Sequence, residues 1–187
     1  MSASAQPRMT SGQFIDWAAQ QPDGQRYELV AGEVVAMAPQ RSGHALAAFH
    51  VARRLFEAVG AAGVPCTVYA DGMAVEVDSA TVYEPDAMVR CGAPLPADAV
   101  RATDPLIVVE VLSPSSRSRD AGAKLADYFR LVSLRHYLIV AADIRTVIHH
   151  ARDEAGTILT RIVRDGPLRL DPPGLVLDQL FADAFGR

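Results

Sequence analysis

Hydrophobic positions along this chain follow two spacings, and the changes between them mark the predicted elements. Ala45, Ala48, Phe49, Ala52, Leu55, Phe56 and Val59 recur at helical intervals. They predict a helix capped by Ser42, running to about Gly60 and closed by Gly60 and Gly63. Ala121, Leu125, Tyr128, Phe129 and Val132 form a second inward stripe, over about 118–132. A short helix carries Phe14, Ile15, Trp17 and Ala18 behind Thr10-Ser11-Gly12-Gln13, which has capping-box form, and Pro22-Asp23-Gly24 ends it.

Elsewhere the pattern is that of strands. Tyr27-Glu28-Leu29-Val30 and Glu33-Val34-Val35-Ala36-Met37 flank Ala31-Gly32, which predicts a tight β-hairpin. Strands follow at about 64–70 and 72–78, joined at Asp71-Gly72, and another runs from near Asp86 to Cys91. Pro94, Pro96 and Pro105 mark a loop before the central strand Leu106–Leu112. His136–Ala141, Thr146–Ala151 and about 157–164 complete the strands. Pro172-Pro173-Gly174 leads to a terminal turn or helix through Leu177, Leu180 and Phe181. This order predicts an α/β (α+β) fold, a mixed sheet flanked by helices.

Composition narrows the classes. The 187 residues are expected to form one domain over 10–187 behind a flexible N-terminal tail, 1–9. Half of them are hydrophobic and 21% charged, which is globular composition. No stretch approaches the roughly 18 apolar residues of a membrane span. Residues 1–8 lack the apolar core of a signal peptide, so the cytoplasm is the expected location. Cys66 and Cys91 lack C-x-x-C spacing and read as small core residues, without a disulfide. A net charge of −4 argues against a broad nucleic-acid-binding coat. A local basic cleft remains open at Arg117, Arg119, Lys124 and Arg130, while Arg53-Arg54 reads as a solvated helix face.

Two carboxylates change the picture. Glu110 interrupts the apolar run of the central strand, and Asp86 follows Pro85 at the start of another strand. A carboxylate on a buried strand is costly unless compensated, and two of them suggest a shared cation. Alternation puts Val108, Glu110 and Leu112 on one face and Ile107, Val109 and Val111 on the other; Asp86 shares its face with Met88 and Arg90. Mg²⁺ suits such a pair, since it takes one or two carboxylates beside water and phosphate oxygens. Plainer roles stay open: a strand-entry turn for Asp86, a buried ion pair for Glu110, a Lys124–Asp120 helix pair, and an ordinary hairpin position for Glu28. His44, just behind Ser42, is expected to be neutral at a helix N-terminus and to assist a water, touch a phosphate or pack. His50 and the His149-His150 pair, on a strand read as peripheral, have structural or surface roles. Ser113 and Ser115 read as caps of the turn after the central strand.

Tyr27-Glu28-Leu29-Val30-Ala31-Gly32-Glu33, His44 after Met37-Ala38-Pro39, Pro85-Asp86, Val109-Glu110-Val111-Leu112-Ser113-Pro114-Ser115, and Lys124 with Tyr128 together resemble a known family over about residues 10–182. It is the restriction endonuclease family with the PD-(D/E)XK nuclease fold. The resemblance implies a restriction-endonuclease-like mixed β-sheet flanked by helices, and hydrolysis of DNA by metal-activated water. It implies that Asp86 and Glu110 bind Mg²⁺, or Mn²⁺ as a substitute. It also implies that Glu28 adds a carboxylate and that Lys124 orients or activates the water. Many enzymes of this fold are homodimers, and the strands over 136–151 are the expected interface. The sequence departs from the motif at Leu112, where the strand lysine would stand, and Lys124 on the next helix is expected to replace it. Ala141 stands where the family commonly has Asp, and Tyr83-Glu84 where a basic residue usually precedes Pro-Asp. The competing expectation is a non-cutting domain that binds nucleic acid or a protein. A serine hydrolase using Ser113, His44 and Asp86 lacks the G-x-S-x-G elbow.

Overall fold

The computed structural model describes residues 8–112, 120–178 and 180–181. Most of the expected tail, Ser113, Ser115, Arg117 and Arg119 lie outside them, as do the side chains of Asp120 and Ala121. Among the described residues, three α-helices, α1 (Ser11–Ala18), α2 (Ser42–Ala62) and α3 (Asp120–Tyr128), accompany three sheets, with strands numbered along the chain. The largest sheet runs β11 (Ile158–Val163), β10 (Thr146–Arg152), β9 (His136–Ala141), β8 (Ile107–Val111), β6 (Ala87–Cys91), β3 (Cys66–Ala70). A five-stranded sheet runs β2 (Glu33–Ala36), β1 (Tyr27–Val30), β5 (Thr81–Tyr83), β4 (Ala74–Asp78), β7 (Arg101–Ala102). β12 (Leu168–Leu170) and β13 (Leu175–Leu177) form a small antiparallel pair.

The centre of the large sheet is β8 beside β9, a parallel pair. Parallel strands covered on both faces read as continuous apolar runs, as these do. Ile107, Val109 and Val111 face a layer made by α2 and the β12–β13 pair, through Val51, Leu55, Leu170 and Leu177. Val108 faces the other way, with Met88, Tyr137 and Ile139, into a layer containing Tyr83, Tyr128, Phe129 and Leu134. The expected face assignment of the central strand is therefore observed. Full burial of each such aliphatic side chain is worth about 1.5–3 kcal/mol, and the sheet centre is thus a rigid base for Glu110.

Several local expectations are corrected. The cap of α2 is Arg41, which makes no side-chain cap bond, and Ser42 is the first helical residue. The helix is also rolled by about one position: Ala47, Ala48, Val51, Ala52, Leu55 and Ala58 are buried, while Phe49 and Phe56 are 62% and 70% exposed. Alanines let the helix lie close on the sheet, where two phenylalanines would hold it off. α3 ends at Tyr128, so Val132 lies beyond it and is exposed rather than inward. β3 and β4 belong to different sheets, and Asp71-Gly72 carries the chain between them. The C-terminal segment forms the β12–β13 hairpin before its last turn. β10 is an interior strand, so His149 and His150 are buried, not peripheral. The whole of β9 and most of β10 are covered by their own chain, which removes 136–151 as a free interface.

Cys66 and Cys91 form a disulfide across the β3–β6 pair, where they are register partners. This corrects their reading as unlinked core residues; spacing along the chain does not disclose which strands pair. The Thr10–Gln13 capping box of α1 and the β1–β2 hairpin are as expected. Ala31 and Gly32 both have positive φ, which a two-residue type I′ hairpin turn requires.

Candidate active site

Five segments bring their side chains together at one end of the two larger sheets: the residue before β6, β8, β1, α3 and α2. β6 and β8 pair antiparallel with Ala87 opposite Val109, and the same register carried one residue further sets Asp86 opposite Glu110. Asp86 is buried, and its Oδ2 accepts the Val111 backbone N–H at 2.7 Å. Glu28 comes from β1, where its Oε1 accepts the Glu84 backbone N–H at 3.2 Å. α3 supplies Lys124 and Tyr128, four residues apart and so on one helix face.

Lys124 is the hub. Its Nζ donates to Glu28 Oε1 at 2.7 Å and to Glu110 Oε1 at 3.0 Å. It also lies 4.9 Å from the centroid of the Tyr83 ring, within cation–π range. Tyr128 donates its hydroxyl to the same Glu110 oxygen at 2.9 Å. Tyr83 in turn donates to Asp127 Oδ2 at 2.6 Å, which ties β5 to α3. The alternative Lys124–Asp120 pair rests on a side chain outside the described residues.

Electrostatics follow from this crowding. Burial pushes the Glu110 carboxyl up to about 7; Lys124 pulls it down, while Glu28 and Asp86 push it further up. Burial opposes the charge on Lys124, but Glu110 and Glu28 outweigh it and hold the ammonium above its ordinary pKa. Lys124 is therefore a permanent donor. Burial and the nearby Glu110 carboxylate also raise the Tyr128 phenol, which stays protonated and donating.

His44 enters from the first turn of α2. Its Nε2 stands 3.0 Å from the Val111 carbonyl oxygen and 3.5 Å from Asp86 Oδ2. The carbonyl can only accept, so Nε2 carries a proton; Nδ1 is buried and has no partner among the described residues. The hydrogen bond to Asp86 raises the His44 pKa against the effect of burial. The adjacent carboxylate thus acts against the effect expected of the helix end.

Asp86 and Glu110 offer the hard oxygens that Mg²⁺ prefers. Among the described residues, however, no three His, Cys, Asp or Glu side chains form a group ready to hold a metal. Glu28 is turned onto Lys124 instead. The residues fit a cation held by two carboxylates with water, and not a closed protein cage.

Residues 12–180 match the profile of a family described as "Uma2: Putative restriction endonuclease". The chain belongs to the Uma2 family. A relative in Synechocystis sp., the uncharacterized protein slr1290, is 23% identical over 171 residues, 90% of this chain and 88% of its own. The crystal structure of a "putative nuclease belonging to DUF820" from Anabaena variabilis superposes with a TM-score of 0.70. It covers 93% of this chain and 98% of that one at 12% identity, and it shows that the Uma2 chain has a nuclease-like fold.

All five candidates, Asp86, Glu110, Lys124, Glu28 and His44, stand in this one region of the Uma2 fold. Arg130 instead pairs with Asp78 and Asp127, and Arg54 with Glu57, so neither lines the site. Sequence reasoning missed Tyr83 and Asp127, and it placed Tyr128 only as packing and as part of a motif. The i, i+4 spacing of Lys124 and Tyr128 was the available signal for a shared target on β8.

Proposed function

We propose that the chain is a Mg²⁺-dependent endonuclease that hydrolyses phosphodiester bonds in DNA. Asp86 and Glu110 hold the ion, and Glu28 adds a third carboxylate once freed from Lys124. The observation that carries this reading is the Lys124 ammonium, which reaches Glu110 from α3 at 3.0 Å; in this reading it takes the part of the lysine missing at Leu112.

A bound Mg²⁺ would acidify water and neutralise phosphate charge. The protein does the rest. Lys124, held protonated, donates to the attacking water and to the charge that develops on the phosphate, and so acts as an orienting donor and not as a base. Tyr128 keeps Glu110 from rotating. His44, hydrogen-bonded to Val111 and facing Asp86, fixes the Asp86 carboxylate from the side. Attack is direct, with no covalent enzyme intermediate.

Calorimetric titration with Mg²⁺ and Mn²⁺, alongside plasmid cleavage, tests this. Saturable binding and cleavage in the wild type, both lost in Asp86→Asn and Glu110→Gln, are expected; cleavage that survives in either variant sinks the assignment. The engagement of Glu28 by Lys124 favours a second reading, a non-cutting domain that binds nucleic acid or a protein. A melting temperature unmoved by either cation would support that one. A two-fold dimer would form through Leu46, Phe49 and Phe56, which α2 exposes. A monomer by light scattering removes it.

A further inference from the structure

A cavity of about 500 Å³ lies where the base of the β1–β2 hairpin meets the turn after β3. That is within the range of about 300–1,000 Å³ usual for small-molecule sites. Met37 and Pro39 give it apolar surface, Arg26 and Tyr27 line it from the β1 side, and Gln40 and Asp71 supply polar edges. None of these residues takes part in the chemistry assigned above.

The cavity is one residue from the candidate active site. Arg26 Nε lies 3.1 Å from Glu84 Oε1, and the backbone N–H of Glu84 donates to Glu28, the carboxylate that holds Lys124. Glu84 is also two residues before Asp86. A group seated in the cavity would therefore touch the first member of a contact chain, Arg26–Glu84–Glu28, that ends on Lys124.

Charge decides which part of a nucleotide fits. The Arg26 guanidinium is shared by two carboxylates, Asp71 through both terminal nitrogens and Glu84 through Nε. Arg26 and Asp71 are the two charged residues of the lining and neutralise each other, and Glu84 behind Arg26 takes up the rest of its charge, so the wall has no cation left for a phosphate. An uncharged flat group with apolar faces and polar edges suits it: Met37 and Pro39 offer apolar surface, and Gln40 and Asp71, which bond each other at 3.4 Å, keep a further amide N–H, an amide oxygen and carboxylate lone pairs for an edge. We propose that this cavity receives one nucleobase of the substrate, from a nucleotide flanking the cleaved bond. The proposal rests on the nuclease reading and adds to it a source of sequence preference.

The test uses a random-sequence DNA pool cut in Mg²⁺ or Mn²⁺, with the product ends sequenced. Ala38→Trp, a substitution at an exposed wall position, fills the cavity without touching Asp86, Glu110 or Lys124. The wild type should show a base preference of about tenfold or more at one fixed distance from the cut, as hydrogen bonds to a base edge typically give. The filled variant should cut with that preference gone. An unchanged preference in the variant, or none in the wild type, overturns the cavity assignment and leaves the nuclease reading standing. If the wild type cuts nothing, the nuclease reading falls, and titration with free nucleosides followed by NMR decides the cavity. Binding in the wild type that is lost in Ala38→Trp keeps it as a nucleobase site, and no binding overturns it. Should Ala38→Trp fail to fold or to cut, Gln40→Leu carries the same comparison.

Discussion

Asp86 is bound to the backbone of Val111: its Oδ2 accepts the Val111 N–H at 2.7 Å across the β6–β8 pair. The proposed metal ligand thus has a structural role as well. Its truncation tests two things at once, and the choice of substitution separates them.

Asp86→Ala leaves a buried N–H without an acceptor, and such an orphan costs about 1–3 kcal/mol. Asp86→Asn keeps an amide oxygen for Val111 and should cost clearly less. Both should lose cation binding. Urea denaturation read beside calorimetry checks this; equal destabilisation by the two variants would contradict the structural role.

Lys124 neutralises two carboxylates, so Lys124→Met leaves Glu28 and Glu110 facing each other. Removing one member of a buried ion pair costs about 3–5 kcal/mol. The loss should be greater at pH 8 than at pH 6, because Glu110, with its carboxyl near 7, can take up a proton at the lower pH. Cleavage should vanish at both. A variant as stable as the wild type at pH 8 would show that the ammonium does not hold the cluster together.

The same carboxyl governs cation binding. Glu110 must be ionised to act as a ligand, and burial keeps it partly protonated near neutrality. Mg²⁺ affinity should therefore rise between pH 6 and 8, with proton release that calorimetry in buffers of different ionisation enthalpy detects. A binding constant flat over that range would take Glu110 out of the ligand set.

What the sequence disclosed follows from the range of each interaction. The central strand was legible because alternation is local: Glu110 breaks an apolar run, and its face is settled by its neighbours at 108 and 112. That Lys124 would reach Glu110 was suggested by Leu112, which leaves the usual position without a charge. The tilt of α2 was not legible, since choosing Ala47 over Phe49 for the buried side depends on how closely the sheet lets the helix approach. β5 has only three residues, too few for a periodic signal. The Cys66–Cys91 bond and the Tyr83–Asp127 contact depend on which distant segments pair, which is set by the whole topology.

The disulfide sits uneasily with the expected cytoplasmic location, where thiols are kept reduced. It closes a loop of 25 residues, for which chain entropy alone gives about 3 kcal/mol. Reduction, or Cys66→Ser, should lower the melting temperature by about 5–10 °C. Thiol titration of unfolded protein prepared without reductant gives the bond itself. Two titratable thiols in protein isolated from its native compartment would mean that the pair stays open there.

His136 and His149 meet inside the sheet, with His136 Nδ1 and His149 Nε2 3.0 Å apart. His136 Nε2 faces the Pro172 carbonyl at 2.8 Å and must donate to it. Its Nδ1 then carries the lone pair, and His149 Nε2–H donates to it, so both rings are neutral. Burial lowers the His149 pKa to about 4, with His136, Arg161 and His150 adding to the shift, and burial lowers His136 as well. The sign follows: below the ordinary histidine pKa of about 6.5 the unfolded chain binds protons that the folded chain refuses. Stability should fall as pH drops from about 6.5 towards 4, with His149 alone contributing a slope of up to about 1.4 kcal/mol per pH unit. His149→Gln keeps a donor for His136 and has no such proton to take up. Urea denaturation at pH 7 and pH 5 should therefore show a smaller drop in this variant than in the wild type, and an equal drop would mean that His149 is not held neutral by its burial.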